Sequence, residues 1–140
     1  MNLLVAWSQL NQEDVEKIRQ HTGAKILQAQ SKEDLPELVA QADVIFGFVP
    51  PVLLSKAVRC TWLQIPYAGA EAVLAAEWGN PEMVLTNGSG VFGPSIAEHV
   101  IGMILTFNRG LHVARDHQKD RLWRWESDYP FRELTNSTVG

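Results

Sequence analysis

The sequence predicts an α/β protein: a parallel sheet covered on both faces by helices, then one long helix and an aromatic arm. Two observations predict it. Short apolar runs alternate with helical segments from Leu3 to Thr86, the pattern of successive strand–helix units. From Pro94 the pattern changes, with apolar residues at Ile96, Val100, Ile104, Phe107 and Leu111, spaced by three or four.

Each element has its own signal. Leu3 to Trp7 reads as a buried strand. Asn11 to His21 reads as a helix, with Asn11 as cap, Glu13 and Asp14 in the first turn, Val15 and Ile18 on one apolar side, and Gly23 as the stop. Lys25 to Gln28 is a second short strand, and Glu33 to Ala42 a second helix with Pro36 near its start. Asp43 to Phe48 is a third strand, ended by Pro50 and Pro51, with a short helical turn over Val52 to Ala57. Trp62 to Ile65 is a fourth strand, Ala70 to Glu77 has helix-forming composition, and Met83 to Thr86 is a fifth strand. The stripe from Pro94 predicts one helix running to about Asp120, with Gly102 and Gly110 tolerated inside it at about 1 kcal/mol each against Ala. In the tail, Trp123, Trp125, Tyr129 and Phe131 crowd together without a regular period. So much aromatic surface predicts cover by another subunit or a further domain.

Composition narrows the function. The chain has 140 residues, 46% of them hydrophobic and 20% charged, which suits an ordinary globular domain. A net charge of −4 argues against sequence-independent nucleic-acid binding. The single Cys60 allows no internal disulfide and no metal set, and points to a reducing cytoplasm. The apolar N-terminus lacks a cationic lead and reads as a core strand, and no run approaches a membrane span.

The chemistry-bearing segments weigh unequally. Gly88, Gly90 and Gly93 spell a G-x-G-x-x-G between a strand and a helix, the form of a dinucleotide fingerprint. A real fingerprint needs a second strand ending in an acid about 20 residues on. Here the helix continues through Arg109 to Val113, so the segment reads as a turn feeding a helix, with Pro94 in its first turn. The loop from Ile65 to Glu71 differs. Its small residues leave backbone amides facing outward at a strand's carboxyl end, and a carboxylate is a plausible guest. Taken alone, the loop reads better as a tight turn that binds nothing. His21 ends a helix; His99, His112 and His117 sit on the long helix without metal-ligand spacing, and Glu98-His99 is not a zinc motif. Cys60 reads as a small core or edge residue. Trp7-Ser8-Gln9 lacks the acids of a phosphoacceptor site, and Ser8 to Gln12 makes a poor flavin-phosphate loop.

Three segments together carry a family resemblance: Thr61 to Glu71; Leu85 to His99 with its Ser95-Ile96-Ala97-Glu98-His99 core; and the helix closing on Asp120 to Trp125. The chain resembles the N-terminal part of the D-isomer-specific 2-hydroxyacid dehydrogenases, in their glyoxylate/hydroxypyruvate reductase and phosphoglycerate dehydrogenase-like branch. The resemblance implies a flavodoxin-like catalytic (substrate-binding) domain over residues 1–93, an interdomain helix over 94–120, and an arm over 121–140 that opens a nucleotide-binding domain. It implies that Ala68 and Gly69 hold the substrate carboxylate, with Tyr67 lining the loop and Phe48 on the pocket wall. It places Ser95 and Ile96 on the nicotinamide side of an NAD or NADP cofactor, and Trp123, Trp125, Tyr129 and Phe131 in homodimer contacts. The substrate would be a small 2-oxo or 2-hydroxy acid. The family's catalytic Arg, acid and His lie downstream of its nucleotide motif, so no catalytic residue is expected in this chain and the chain alone is expected to be inactive. The alternative is a stand-alone flavodoxin-like module that self-associates through its aromatic tail. A third reading takes Gly88 to Gly93 as a nucleotide site.

Overall fold

The computed structural model describes residues 1–124 and 129–140, so Trp125 lies outside the described residues. The chain divides into two units, Met1–Val91 and Phe92–Gly140.

The first unit is a five-stranded parallel sheet. Its strands are β1 (Asn2–Ala6), β2 (Lys25–Leu27), β3 (Val44–Gly47), β4 (Trp62–Gln64) and β5 (Val84–Thr86), in the order β2-β1-β3-β4-β5. This is the flavodoxin-like order, in which connections run opposite ways from β1 and β3. The register aligns Leu4, Ile45, Leu63 and Leu85 on one face and Leu3, Val44, Trp62 and Val84 on the other. On the first face, Leu4, Ile45 and Leu63 meet Val39 from helix α2 (Leu35–Gln41), Leu54 from a 3-10 turn (Pro51–Lys56) and Val73 from α3 (Glu71–Leu74). On the second, Leu3, Val5 and Val44 meet Val15 from α1 (Gln12–Thr22). Cys60 is fully buried in the first cluster, which fits its reading as a core residue and raises its thiol pKa through desolvation.

Local chemistry explains the ends of α1. Asn11 and Asp14 form a reciprocal capping box, and Gly23 closes the helix in the left-handed conformation at φ 62°. At the sheet's amino edge, the Asp43 carboxylate accepts from the Asn2 amide at 2.7 Å and pairs with Arg59 at 2.9 Å. The Asn2 bond first, and Arg59 second, hold its pKa below the ordinary 3.8. A depressed carboxyl pKa favours the fold above 3.8, a contribution that fades as pH falls through the lower folded value.

Two expectations need correcting. The helix expected over Ala70 to Glu77 is one turn, Glu71–Leu74. The Trp78 indole donates to the Val73 carbonyl at 2.8 Å, taking the acceptor that a longer helix would offer to the Glu77 amide. The single helix expected from Pro94 to Asp120 is two helices, α4 (Gly93–Asn108) and α5 (Leu111–Lys119). Gly110 breaks it by turning left-handed at φ 61°. It is a terminator rather than a tolerated interior glycine.

The second unit explains Gly110 further. The Tyr129 and Phe131 rings stand 3.1–3.2 Å from where a Gly110 Cβ would lie. The Tyr129 hydroxyl donates to the Phe107 carbonyl at 2.5 Å, and the Arg132 amide to that of Asn108 at 3.0 Å. His112 lies between Phe107 and Tyr129 in a short aromatic row. Tyr129 and Phe131, expected to need outside cover, therefore pack partly on their own helical turn, whereas Trp123 is fully exposed. Thr138 to Gly140 form no strand.

At the centre of the sheet, Gly47 has φ 124°, and a Cβ there would lie 2.4 Å from the Ala6 carbonyl. Gly90 has φ 82° but open space around it. Gly47→Ala is expected to cost at least about 3 kcal/mol in urea denaturation, from strain plus backbone collision, and Gly90→Ala only about 1 kcal/mol, from strain alone. Equal losses would show that the Ala6 approach is not what requires Gly47.

Candidate functional site

The carboxyl ends of β1 and β3 form the topological switch point of the sheet, where ligands bind in folds of this order. The Phe48 amide donates to the Ala6 carbonyl at 2.8 Å, fixing the chain leaving β3 against the end of β1. The Phe48 side chain stays 53% exposed. Its ring stands 6.3 Å from that of Tyr67 at an interplanar angle of 51°. Tyr67 is half-buried, and desolvation pushes its phenol pKa above the ordinary value, so it is neutral at physiological pH. Among the described residues, none hydrogen-bonds to its hydroxyl.

The loop after β4 is clamped from the side of β5. The Asn87 amide group donates to the Ala68 carbonyl at 2.7 Å, and the Gly88 amide to the Tyr67 carbonyl at 3.0 Å. A Cβ on Gly88 would lie 2.5 Å from the Pro66 carbonyl oxygen, so only glycine permits this approach. With its carbonyls held inward, the loop leaves Ala68 and Gly69 exposed. Among the described residues, none accepts from the amides of Ala68, Gly69 or Ala70. Successive amides without a partner are groups that an anion can pair with. Two features moderate that pairing: α3 behind the loop is a single turn, and the Glu71 carboxylate lies 2.9 Å from where a Gly69 Cβ would begin.

The sequence residues Phe48, Tyr67, Ala68 and Gly69 therefore gather in one place in the first unit. Asn87 escaped sequence reasoning, and its only signal was an amide side chain in a turn beside a glycine. Ser95 and Ile96 lie in the first turn of α4, in the second unit. The Ser95 hydroxyl donates to the Phe92 carbonyl at 3.1 Å, and Ile96 is 59% exposed. In the same unit, a cavity of about 1110 Å³ beside α5 is lined by Arg109, Arg115, Arg121, Trp123, Tyr129 and Phe131, among others.

A dinucleotide needs a phosphate cradle, and Gly88 to Gly93 does not supply one. Gly88 is buried against Pro66, β5 is an edge strand away from the switch point, and α4 leads into α5 rather than a returning strand. Ser95 and Ile96, a hydroxyl and an exposed apolar side chain, suit the nicotinamide end of such a cofactor but not its phosphates. Among the described residues there is no cluster of three or more His, Cys, Asp or Glu that could hold a metal ion. No helix among them is long and apolar enough to cross a membrane.

Comparison with solved structures shows what the chain is similar to. A D-isomer specific 2-hydroxyacid dehydrogenase family protein from Aeromonas salmonicida subsp. salmonicida A449 matches 95% of this chain with a TM-score of 0.76 and 33% identity. One solved structure similar to this chain thus belongs to the D-isomer-specific 2-hydroxyacid dehydrogenases. The chain spans 43% of that protein's length. An acyclic imino acid reductase in complex with NADPH and D-Arg matches 96% of the chain and 46% of its own, at 14% identity and a TM-score of 0.68. An NAD-dependent formate dehydrogenase from Staphylococcus aureus, in complex with NAD, matches 89% and 43%, at 17% identity and 0.60. These last two show the fold alone. No protein-family model matches the chain.

If Asn87 holds the loop, Asn87→Ala should cost about 1 kcal/mol and shift the amide resonances of Tyr67, Ala68 and Gly69 in an NMR spectrum, leaving those of α1 in place. Unmoved loop resonances would show that the Gly88 contact suffices.

Proposed function

We propose that this chain is the substrate-binding portion of an NAD(P)-dependent oxidoreductase that interconverts 2-oxo acids and D-2-hydroxy acids. The observation that carries the reading is the pair of unpartnered amides at Ala68 and Gly69 beside the Phe48–Tyr67 rings, in a chain 33% identical to a protein of this dehydrogenase family. The amides of Ala68 and Gly69 take the substrate carboxylate. Those amides have no acceptor among the described residues, so no existing hydrogen bond has to break on binding. Tyr67 and Phe48 flank the carboxylate seat with aromatic surface and restrict how the rest of the acid can lie.

Ser95 and Ile96 are the residues of this chain for the nicotinamide side of NAD or NADP, which supplies or accepts the hydride when bound. The groups that polarise the carbonyl and move the proton belong to other parts of the full enzyme. This chain by itself is therefore expected to give no NADH-dependent reduction of glyoxylate or hydroxypyruvate. The full enzyme would work as a cytoplasmic homodimer, with Trp123, Trp125, Tyr129 and Phe131 at or near the subunit contact. The complete exposure of Trp123 supports that role.

Titrating the isotope-labelled chain with pyruvate tests the carboxylate seat. The Ala68 and Gly69 amides should shift on saturation and stay still with pyruvamide, which lacks the charge. Glu71→Gln should tighten pyruvate binding about twofold by removing a nearby exposed negative charge. Equal responses to pyruvate and pyruvamide would refute the seat.

The dimer contact is tested by sedimentation velocity. Trp123→Ala combined with Trp125→Ala should shift any dimer toward monomer, and an unchanged profile would count against the arm.

A further inference from the structure

Each N–H of the Ala68–Gly69 loop shares a rigid peptide plane with the carbonyl of the residue before it. The Ala68 N–H belongs to the plane of the Tyr67 carbonyl, and the Gly69 N–H to that of the Ala68 carbonyl. Both carbonyls are occupied from the turn after β5. The Gly88 amide donates to Tyr67 at 3.0 Å, and the Asn87 side-chain amide to Ala68 at 2.7 Å. Neither N–H meets an acceptor among the described residues. Two adjacent peptide planes therefore have their acceptor ends filled and their donor ends open.

A hydrogen bond accepted at a carbonyl draws charge through the amide and makes the N–H at its other end a stronger donor, by about 10–30% per bond. It also hinders rotation of the plane, so the N–H keeps one direction. We infer that Asn87 and the backbone amide of Gly88 are the positioning groups of the carboxylate seat, which rests on the reading of Ala68 and Gly69 given above. Asn87 acts through the Ala68 carbonyl on the Gly69 N–H, and Gly88 through the Tyr67 carbonyl on the Ala68 N–H. A neighbouring chain of bonds has no such outlet. The Trp62 indole donates to the Thr86 hydroxyl at 2.7 Å, Thr86 to the Gln64 side-chain oxygen at 2.6 Å, and the Gln64 amide group to the Ile65 carbonyl at 2.7 Å. That chain ends on the peptide joining Ile65 to Pro66, which carries no N–H. Thr86, next to Asn87 in sequence, is therefore the control.

The labelled 140-residue chain is titrated with pyruvate as the unaltered protein, Asn87→Ala and Thr86→Val. Asn87 is exposed, so its truncation leaves the core intact. In the free protein, Asn87→Ala should move the Ala68 carbonyl carbon and the Gly69 amide proton upfield, more than any other loop resonance. A loop that had merely slipped would move Tyr67, Ala68 and Gly69 alike. Pyruvate affinity should fall about threefold. The shift that pyruvate induces should shrink more at Gly69 than at Ala68, whose plane keeps its bond from Gly88. Thr86→Val should bind pyruvate as the unaltered chain does. Affinity unchanged by Asn87→Ala, equal loss at both amides, or the same loss in Thr86→Val overturns the positioning role of Asn87 and leaves the seat standing. Failure of pyruvate to move Ala68 and Gly69 in the unaltered chain overturns the seat, and the positioning role with it.

Discussion

Everything in the first unit depends on how closely β3 can approach β1. Parallel strands pair along their length, but the chain must separate from both at the carboxyl end, where one connection turns left and the other right. Gly47 brings the backbone of β3 within van der Waals range of Ala6, in a conformation that L-residues rarely adopt. That contact sets where Phe48 emerges. Phe48 in turn faces Tyr67, and Tyr67 belongs to the loop that Asn87 and Gly88 hold from the other side. The Phe48–Tyr67 contact and the placement of the Ala68–Gly69 loop thus trace back to backbone approaches that exclude a Cβ, at Gly47 and at Gly88.

The sheet was legible because its signals are local. Each strand of the first unit is a short apolar run between turn residues, and the Asn11 cap and Gly23 stop delimit α1 without help from the rest of the chain. Strand ends shift by about one residue because pairing with neighbours, rather than composition, decides where a strand stops. What misled the reading came from distant partners. Nothing in Ala70 to Glu77 discourages a helix; the Trp78 indole ends it by occupying Val73. Gly110 looks like an ordinary helix glycine until Tyr129 and Phe131 return to cover it.

The site was legible in part. Small residues after a strand announce exposed amides, and Phe48 and Tyr67 stand out as aromatics at strand ends. That the two rings meet depends on β3 and β4 being neighbours, which the sheet order alone settles. The role of Asn87 depends on the β4–β5 pairing in the same way. Gly88 is the instructive residue: in the linear sequence it begins a nucleotide-like motif, and in three dimensions it is the close-packing point between two loops.

The brevity of α3 has a kinetic consequence. A long helix behind the Ala68–Gly69 loop would extend a positive field into solvent, and a cationic side chain would extend one farther. A single turn does neither, and the charged side chain beside Gly69 is the Glu71 carboxylate. Peptide dipoles fall away within a few ångströms, so the proposed seat would hold an anion only after contact and would not draw it in. At the proposed seat, capture would then be governed by diffusion and fit, and salt would ease it by screening the Glu71 charge rather than slow it.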